Sequence, residues 1–330
     1  YERCISLFPN HIFSKLNLSY LYYKLNDFKK AEIIIEDAIK LKPNLPNGYC
    51  IRGLILKSLN KYNESKDSLE KAIKIDSNYL DAYINLGLLN KDFNNYDVAE
   101  KLYLKAIEIN NNSAIAHLNL GACYKEKLEL DKAIFHTKKA IQLDSKLKNS
   151  YLNLATIYNQ KGDYINSLSF AKKELSINKD NELCFQHISE LIKKSGVFNL
   201  SKKNNREIIS DILNRKDISH RELFANINNI ISNEILEKLS NLEFGIEENK
   251  DFNIFIKDKV LIQALSLLIF GSPLWEKALR NIRKLMLINY SEDKQVNKNI
   301  ISFTIALGLQ CFLNEYVYYI SEEEKHKLEE

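Results

Sequence analysis

Four asparagines recur at one spacing and have the chemistry of a binding surface. Asn85, Asn119 and Asn153 are 34 residues apart, and Asn17 lies two such steps before Asn85. Asn is a weak helix former, so its return inside apolar segments such as HLNLGACY suggests a use. A side-chain amide has both a donor and an acceptor, and it can pair with the N–H and C=O of an extended peptide whatever the peptide's side chains. The spacing predicts a row of groups that bind main chain.

No catalytic, cofactor or metal site is predicted. The six histidines form no recognisable cluster, and the five cysteines are scattered singly. Cys184 and His187 stand three residues apart, but no second pair accompanies them to complete a metal site. Neither a phosphate-binding glycine loop nor a nucleophile or metalloprotease motif occurs. We therefore predict that this chain is not itself an enzyme, and that His117 is a core histidine.

The same period of 34 residues organises small and aromatic residues into columns. Small residues allow two antiparallel helices to approach closely, and aromatic residues fill the space between them. The columns predict helix pairs, and they contain Ala38, Ala72, Ala106 and Ala140; Ala31, Ala99 and Ala133; Gly53, Gly87 and Gly121; and Tyr49, Tyr83 and Tyr151.

This pattern resembles the tetratricopeptide repeat, in which Leu-Gly, Tyr and two Ala recur with aromatic residues. The resemblance implies an all-α fold, an α-solenoid in which helix-turn-helix repeats form a right-handed superhelix. Ser167 and Glu174 depart from the pattern, where small Ala is usual, so the fifth copy should be looser or adapted to the next domain. Five full copies are predicted at residues 12–45, 46–79, 80–113, 114–147 and 148–181.

The asparagines fall opposite the buried stripe of each first helix, counting 100° per residue. First helices line the concave side of a stacked solenoid, where the row resembles the asparagine ladder of O-linked N-acetylglucosamine transferases. The second copy interrupts it with Ile51. The alternative is that these asparagines are tolerated, exposed and unused. The predicted peptide-binding groove contains Asn17, Tyr20, Asn85, Asn119 and Asn153.

The repeats are predicted to continue beyond both ends of the five full copies only in part. Residues 1–11 align with the end of a repeat, which suggests a truncated copy and a fragment of a longer protein. After Lys179 the period stops. We predict a helix and linker at 182–204 and an all-helical C-terminal domain at 205–330, in which Ser272 and Pro273 mark the start of a helix.

The segment Phe303–Glu324 resembles a helical region that precedes the catalytic domain of bacterial methyltransferases that use S-adenosylmethionine and carry tetratricopeptide repeats. The residues that match are Gln310, Cys311, Phe312, Asn314, Glu315, Tyr316 and Val317. This resemblance implies that a catalytic domain would follow residue 330. Exposed aromatic side chains would then dock that domain, and the predicted docking residues are Trp275, Phe312, Tyr316 and Tyr318.

Composition narrows the class of partner. The 47 basic and 43 acidic residues nearly balance and are mixed along the chain, so no nucleic acid is expected. The longest apolar segments are shorter than the roughly 20 residues that span a bilayer, so no membrane association is expected. Single cysteines favour a reducing, cytoplasmic location. We predict a scaffold for a protein or extended peptide, with the recruiting part of a methyltransferase as the alternative and a glycosyltransferase arm as a weaker one.

Overall fold

The computed structural model describes residues 1–194, 203–215, 217–218, 223, 230–243, 249–268, 272–289 and 298–313. Within these ranges the chain forms 18 helices and no strand, which confirms the prediction of an all-α fold. The chain divides into two compact units, Tyr1–Asp180 and Asn181–Glu330. No helix among the described residues is long and apolar enough to cross a membrane.

The first unit is a stack of helix pairs. Each pair has a first and a second helix that pack against each other, and each second helix also packs on the first helix of the next pair. A short helix, α1 (Glu2–Leu7), precedes the first pair. The pairs are α2 (Ile12–Lys24) with α3 (Phe28–Leu41), α4 (Pro46–Ser58) with α5 (Tyr62–Ile75), α6 (Leu80–Asp92) with α7 (Tyr96–Ile109), α8 (Ala114–Glu126) with α9 (Leu130–Leu143), and α10 (Ser150–Gln160) with α11 (Tyr164–Ile177).

The turn inside each pair is the same left-handed cap. In the second pair the N–H of Asn60 donates to the carbonyl of Lys57 at 3.0 Å, and the N–H of Lys61 donates to Leu56 at 2.9 Å. This is the Schellman arrangement, which needs one residue at positive φ. Asn and Gly tolerate that conformation best. The residues at positive φ are Asn26, Asn60, Asn94, Leu128 and Gly162, again 34 apart.

The glycine column marks the closest approach within each pair. A Cβ at Gly87 would lie 2.6 Å from the ring of Tyr103, and one at Gly121 would lie 2.4 Å from the hydroxyl of Thr137. Since real Cβ atoms do not come so close, the first helix can carry only glycine there. The absence of a side chain on one helix thus makes room for a large one on its partner.

The fifth pair departs from the others at its start. The first helix begins at Ser150, and Asn149 before it has a left-handed φ of 64°. Glu174 is buried, and its carboxylate accepts the N–H of Asn149 at 3.0 Å. Ser167 is also buried, and its hydroxyl donates to the carbonyl of Ala155 at 2.7 Å. Both polar replacements of alanine are therefore bonded inside the repeat.

The second unit is a separate set of helices. Ser272 caps the N-terminus of α17 by accepting the N–H of Trp275 at 3.5 Å, as the sequence predicts. The stretch predicted as a helix and linker contributes α12 to this unit. The helices are α12 (Glu182–Lys194), α13 (Lys203–Leu213), α14 (Asn233–Ser240), α15 (Lys250–Lys257), α16 (Lys259–Leu267), α17 (Pro273–Asn289) and α18 (Lys298–Leu313).

An aromatic cluster forms the core of the second unit. The ring of Phe255 lies 5.9 Å from that of Trp275 and 5.6 Å from that of Phe303. Trp275 is only 1% exposed, so its prediction as a docking residue is wrong. The first turn of α17 points its indole inward, against α15. The side chain of Phe312, and Tyr316 and Tyr318 entirely, lie outside the described residues.

Candidate peptide-binding groove

The first helices of the repeats line one face of the first unit. Adjacent first helices contact one another along the stack, from α2 to α10, whereas contacts between successive second helices are sparser. The stack therefore curves toward its first helices, and their outer sides form the concave face. We call this face the groove.

The asparagines predicted for the groove all lie on first helices. Asn17 is exposed, and Asn85, Asn119 and Asn153 are half-buried. At the corresponding position of the second pair, Ile51 is 8% exposed. The side chains therefore reach the surface of the groove in four pairs and give way to an apolar one in the second.

The amides differ in their hydrogen bonding. The Nδ2 of Asn85 donates to the Sγ of Cys50 at 3.2 Å on the preceding first helix. Burial raises the pKa of the Cys50 thiol to about 11, so the sulfur is a neutral acceptor and not a nucleophile. Within the described residues, Asn17, Asn119 and Asn153 make no side-chain hydrogen bond. Three of the four amides are thus available to a ligand, and the fourth keeps its oxygen available.

A cavity of about 410 Å³ opens in the groove across the first three pairs. Tyr20, predicted as a groove residue, lines it and is 41% exposed. Burial raises the pKa of Tyr79 on its wall to about 12, so this phenol stays neutral. We call this cavity the groove pocket; its lining residues are Asn17, Tyr20, Asn47, Cys50, Ile51, Leu54, Tyr79, Asp81, Ile84, Asn85 and Ile115.

Charges around the groove pocket are largely paired. Lys57 forms an ion pair with Asp92 at 2.5 Å, and the ammonium of Lys24 lies 5.1 Å from the ring centre of Tyr20. Asp81 is the one charged residue among those that line the pocket, and it is exposed. Within the described residues it forms no ion pair. The groove pocket therefore has a local negative charge.

A pair of histidines was missed from the sequence. Nδ1 of His117 lies 3.1 Å from Nδ1 of His136, and Nε2 of His117 lies 3.2 Å from the carbonyl of Asn111. Since a carbonyl only accepts, His117 donates from Nε2 and accepts from His136. His117 is 6% exposed, so its prediction as a core histidine is confirmed. The expectation that no two histidines cluster is wrong, because the helix pair places these two side by side.

Burial keeps both imidazoles neutral. It lowers the pKa of His117, and together with the charge of His117 it lowers the pKa of His136 to about 4. His136 also stacks on Tyr124, with ring centres 5.6 Å apart. No group of three or more potential ligands that could hold a metal ion occurs among the residues the structure describes. The pair is therefore a structural element of the fourth repeat.

Family comparisons agree with the repeat pattern. Profiles of the tetratricopeptide repeat match residues 14–45, 80–113, 149–181 and 102–135, and a TPR repeat profile matches 53–92. This chain therefore carries tetratricopeptide repeats within residues 14–181. It is a repeat scaffold of a kind consistent with protein binding. No curated protein sequence matches it well enough to count as a relative.

Solved structures show the same fold. PilW, a type IV pilus biogenesis factor, is 20% identical with a TM-score of 0.55, over 65% of this chain and 97% of that one. The pilF protein of Pseudomonas aeruginosa is 15% identical with a TM-score of 0.52, over 61% and 88%. The thermophilic TPR protein TTC0263 of Thermus thermophilus is 20% identical with a TM-score of 0.50, over 55% and 98%. At these identities the likeness is one of fold alone.

Proposed function

We propose that the groove binds an extended segment of another protein through its main chain. The observation that carries this proposal is the set of side-chain amides at Asn17, Asn119 and Asn153, which share one face and have no partner within the described residues. Each amide offers both a donor and an acceptor, which a peptide bond complements. The sequence of the bound segment then matters little at these positions.

The spacing of the helices suits an extended chain. Packed helices lie about 8–10 Å apart, and an extended chain advances about 3.3 Å per residue. One asparagine thus meets about every third residue of the ligand, and the four steps from Asn17 to Asn153 correspond to a segment of about 12 residues. That length is typical of a linear motif or an unstructured terminus.

Selection from a displayed library of random 12-residue peptides, with the whole chain as bait, tests the proposal. Bound peptides should lose affinity about tenfold or more in the variant with Asn85, Asn119 and Asn153 all changed to Ala, because each net hydrogen bond contributes about 0.5–1.5 kcal/mol. The melting temperature should hold or rise, since Ala is the better helix former. The matched control changes Asn63, Asn78 and Asn112, exposed asparagines outside the first helices, and should bind normally.

Two outcomes contradict the proposal. One is the recovery of no peptide above background. The other is equal binding by the groove variant and the control variant, which would mean that the asparagines are exposed and unused.

The link to a methyltransferase remains a prediction from sequence. It depends on the resemblance of Phe303–Glu324, of which residues 314–324 lie outside the described part of the chain. In that case the groove would recruit the substrate of a catalytic domain encoded further along. Sequencing the complete reading frame and measuring S-adenosylmethionine binding by the full product decides between this role and a stand-alone adaptor.

A cytoplasmic location and the absence of nucleic acid also remain proposals. Cys4, Cys50, Cys123 and Cys184 are free thiols, which supports a reducing compartment. The near balance of basic and acidic residues supports a protein partner over a nucleic acid.

A further inference from the structure

We propose that the groove pocket selects the ligand by two side chains, a large apolar one and an adjacent basic one. This inference rests on the proposed function, because it assigns a specificity to the same groove. It concerns the first three repeats, where the ladder of amides is interrupted, and not the ladder itself.

The interruption turns a main-chain site into an apolar one. Ile51 occupies the asparagine's position in the second pair, and with Ile84 it forms a floor that is 8% exposed at both residues. The rim is apolar as well, since Ile115 is 52% exposed and Tyr20 is 41% exposed. An apolar side chain that covers these surfaces removes them from water, which is favourable in proportion to the area buried.

The size of the cavity fits one large side chain and the main chain beside it. Its volume of about 410 Å³ lies within the roughly 300–1,000 Å³ of sites that take small organic groups. Asn17 and Asn85 stand on the first helices on either side of Ile51. They are placed to hold the peptide bonds that flank the anchoring residue. Replacing a large apolar anchor with Ala should weaken binding about tenfold or more.

The charge of the groove pocket specifies the second residue. Asp81 lies at the start of α6, is exposed, and has no ion-pair partner within the described residues. The other polar side chains of the lining are neutral amides, a neutral thiol and phenols. A Lys or Arg next to the apolar anchor would pair with this carboxylate, and an acidic residue there would be repelled.

Two exposed positions allow a test that leaves the fold intact. The variants are Ile115→Ser, which removes apolar rim, and Asp81→Lys, which reverses the charge. The matched control is Asp67→Lys, because Asp67 is an exposed carboxylate on α5, outside the groove pocket. Each full-length variant is used as bait against the same library of random 12-residue peptides, and the bound sequences are read.

The expected result has three parts. Peptides bound to the unmodified chain and to the Asp67→Lys chain are enriched in an apolar residue followed or preceded by Lys or Arg. The Asp81→Lys chain loses the basic preference and keeps the apolar one. The Ile115→Ser chain binds the selected peptides several-fold to tenfold more weakly.

The failure of this inference is distinct from that of the proposed function. Peptides that bind through the asparagines but lack the apolar and basic enrichment overturn the inference and leave the function standing. An enrichment that Asp81→Lys leaves unchanged overturns the role of Asp81. Recovery of no peptide overturns both proposals together.

Discussion

Single residues in the first unit have measurable costs, and Tyr103 is the clearest case. Its ring fills the space opposite Gly87, it is fully buried, and its hydroxyl has no hydrogen-bond partner. A buried polar group without a partner costs about 1–3 kcal/mol. Tyr103→Phe should therefore raise the free energy of unfolding by about 1 kcal/mol in urea titrations.

Tyr124→Phe provides the control for this substitution. The hydroxyl of Tyr124 donates to Glu100 at 2.9 Å, so its removal should lower the free energy of unfolding by about 0.5–1.5 kcal/mol. If both substitutions destabilise the protein equally, the hydroxyl of Tyr103 has a partner in solution.

Leu128 is strained by its place in the turn of the fourth repeat. It has a φ of 61° and is 73% exposed, so it gains little burial in return. A left-handed conformation costs an L-residue other than Gly, Asn or Asp about 1–2 kcal/mol. Leu128→Asn should raise the free energy of unfolding by about 1 kcal/mol, measured by urea titration. Asn94→Leu, at the same turn of the third repeat, should have the opposite effect, and a loss of stability in Leu128→Asn would contradict the argument.

The histidine pair should make stability depend on pH. Because burial lowers the pKa of His136 to about 4 in the folded state, the unfolded chain takes up its proton first as the pH falls. Stability is therefore complete above pH 6.5 or so and falls between about pH 6.5 and 4. The loss between pH 7.5 and 5.5 should be about 0.5–1 kcal/mol, allowing for the screening of a half-exposed ring.

A variant with His117→Tyr and His136→Phe tests this dependence. Tyr is the residue found at the first position in three other repeats. Urea titrations at pH 7.5 and 5.5 should show a smaller difference for this variant than for the unmodified chain. An equal difference would assign the pH dependence to carboxylates.

Residue types alone show which side chains recur, but not which of them meet. The period brings out the asparagines and the glycines because both repeat within one helix position. His117 and His136 do not repeat, and their contact depends on how two helices face each other. Trp275 misleads for the same reason, since its burial depends on Phe255, which is 20 residues away in sequence. Long-range packing decides these positions.

At the scale of the helices, the period predicts where most elements begin. The helices α2, α4, α6 and α8 begin at Ile12, Pro46, Leu80 and Ala114, the first residues of four predicted copies. The left-handed turns were open to prediction from the column of Asn26, Asn60 and Asn94. The fifth first helix begins two residues later than the period implies, because Asn149 adopts a left-handed conformation that only the tertiary contact with Glu174 explains.

Glu174 reverses what the repeat pattern would suggest. Four other repeats have Ala at this position, so Glu174→Ala would be expected to stabilise the helix. The structure predicts a decrease of about 1–3 kcal/mol in the free energy of unfolding instead, since the buried N–H of Asn149 would lose its acceptor. Glu174→Gln keeps an acceptor oxygen and should lose less. A gain in stability for Glu174→Ala, in urea titrations, would contradict this role.

At the scale of the whole molecule, the first unit should tolerate the loss of one repeat and not of half a repeat. In a stacked solenoid each repeat contacts only its neighbours, so stability is a sum of repeats and their interfaces. Deleting residues 80–113 removes α6 and α7 and joins the second pair to the fourth in the same order of first and second helices. We expect this variant to remain folded, with cooperative unfolding in urea and a helical signal reduced in proportion to its length. It should lose the groove pocket, and therefore the selectivity for apolar and basic residues, while Asn17, Asn119 and Asn153 still bind main chain. Deleting only 80–95 would place two second helices in succession, bury no continuous stripe, and leave the unit largely unfolded. If both deletions abolish cooperative unfolding, the first unit is not held together by nearest-neighbour contacts.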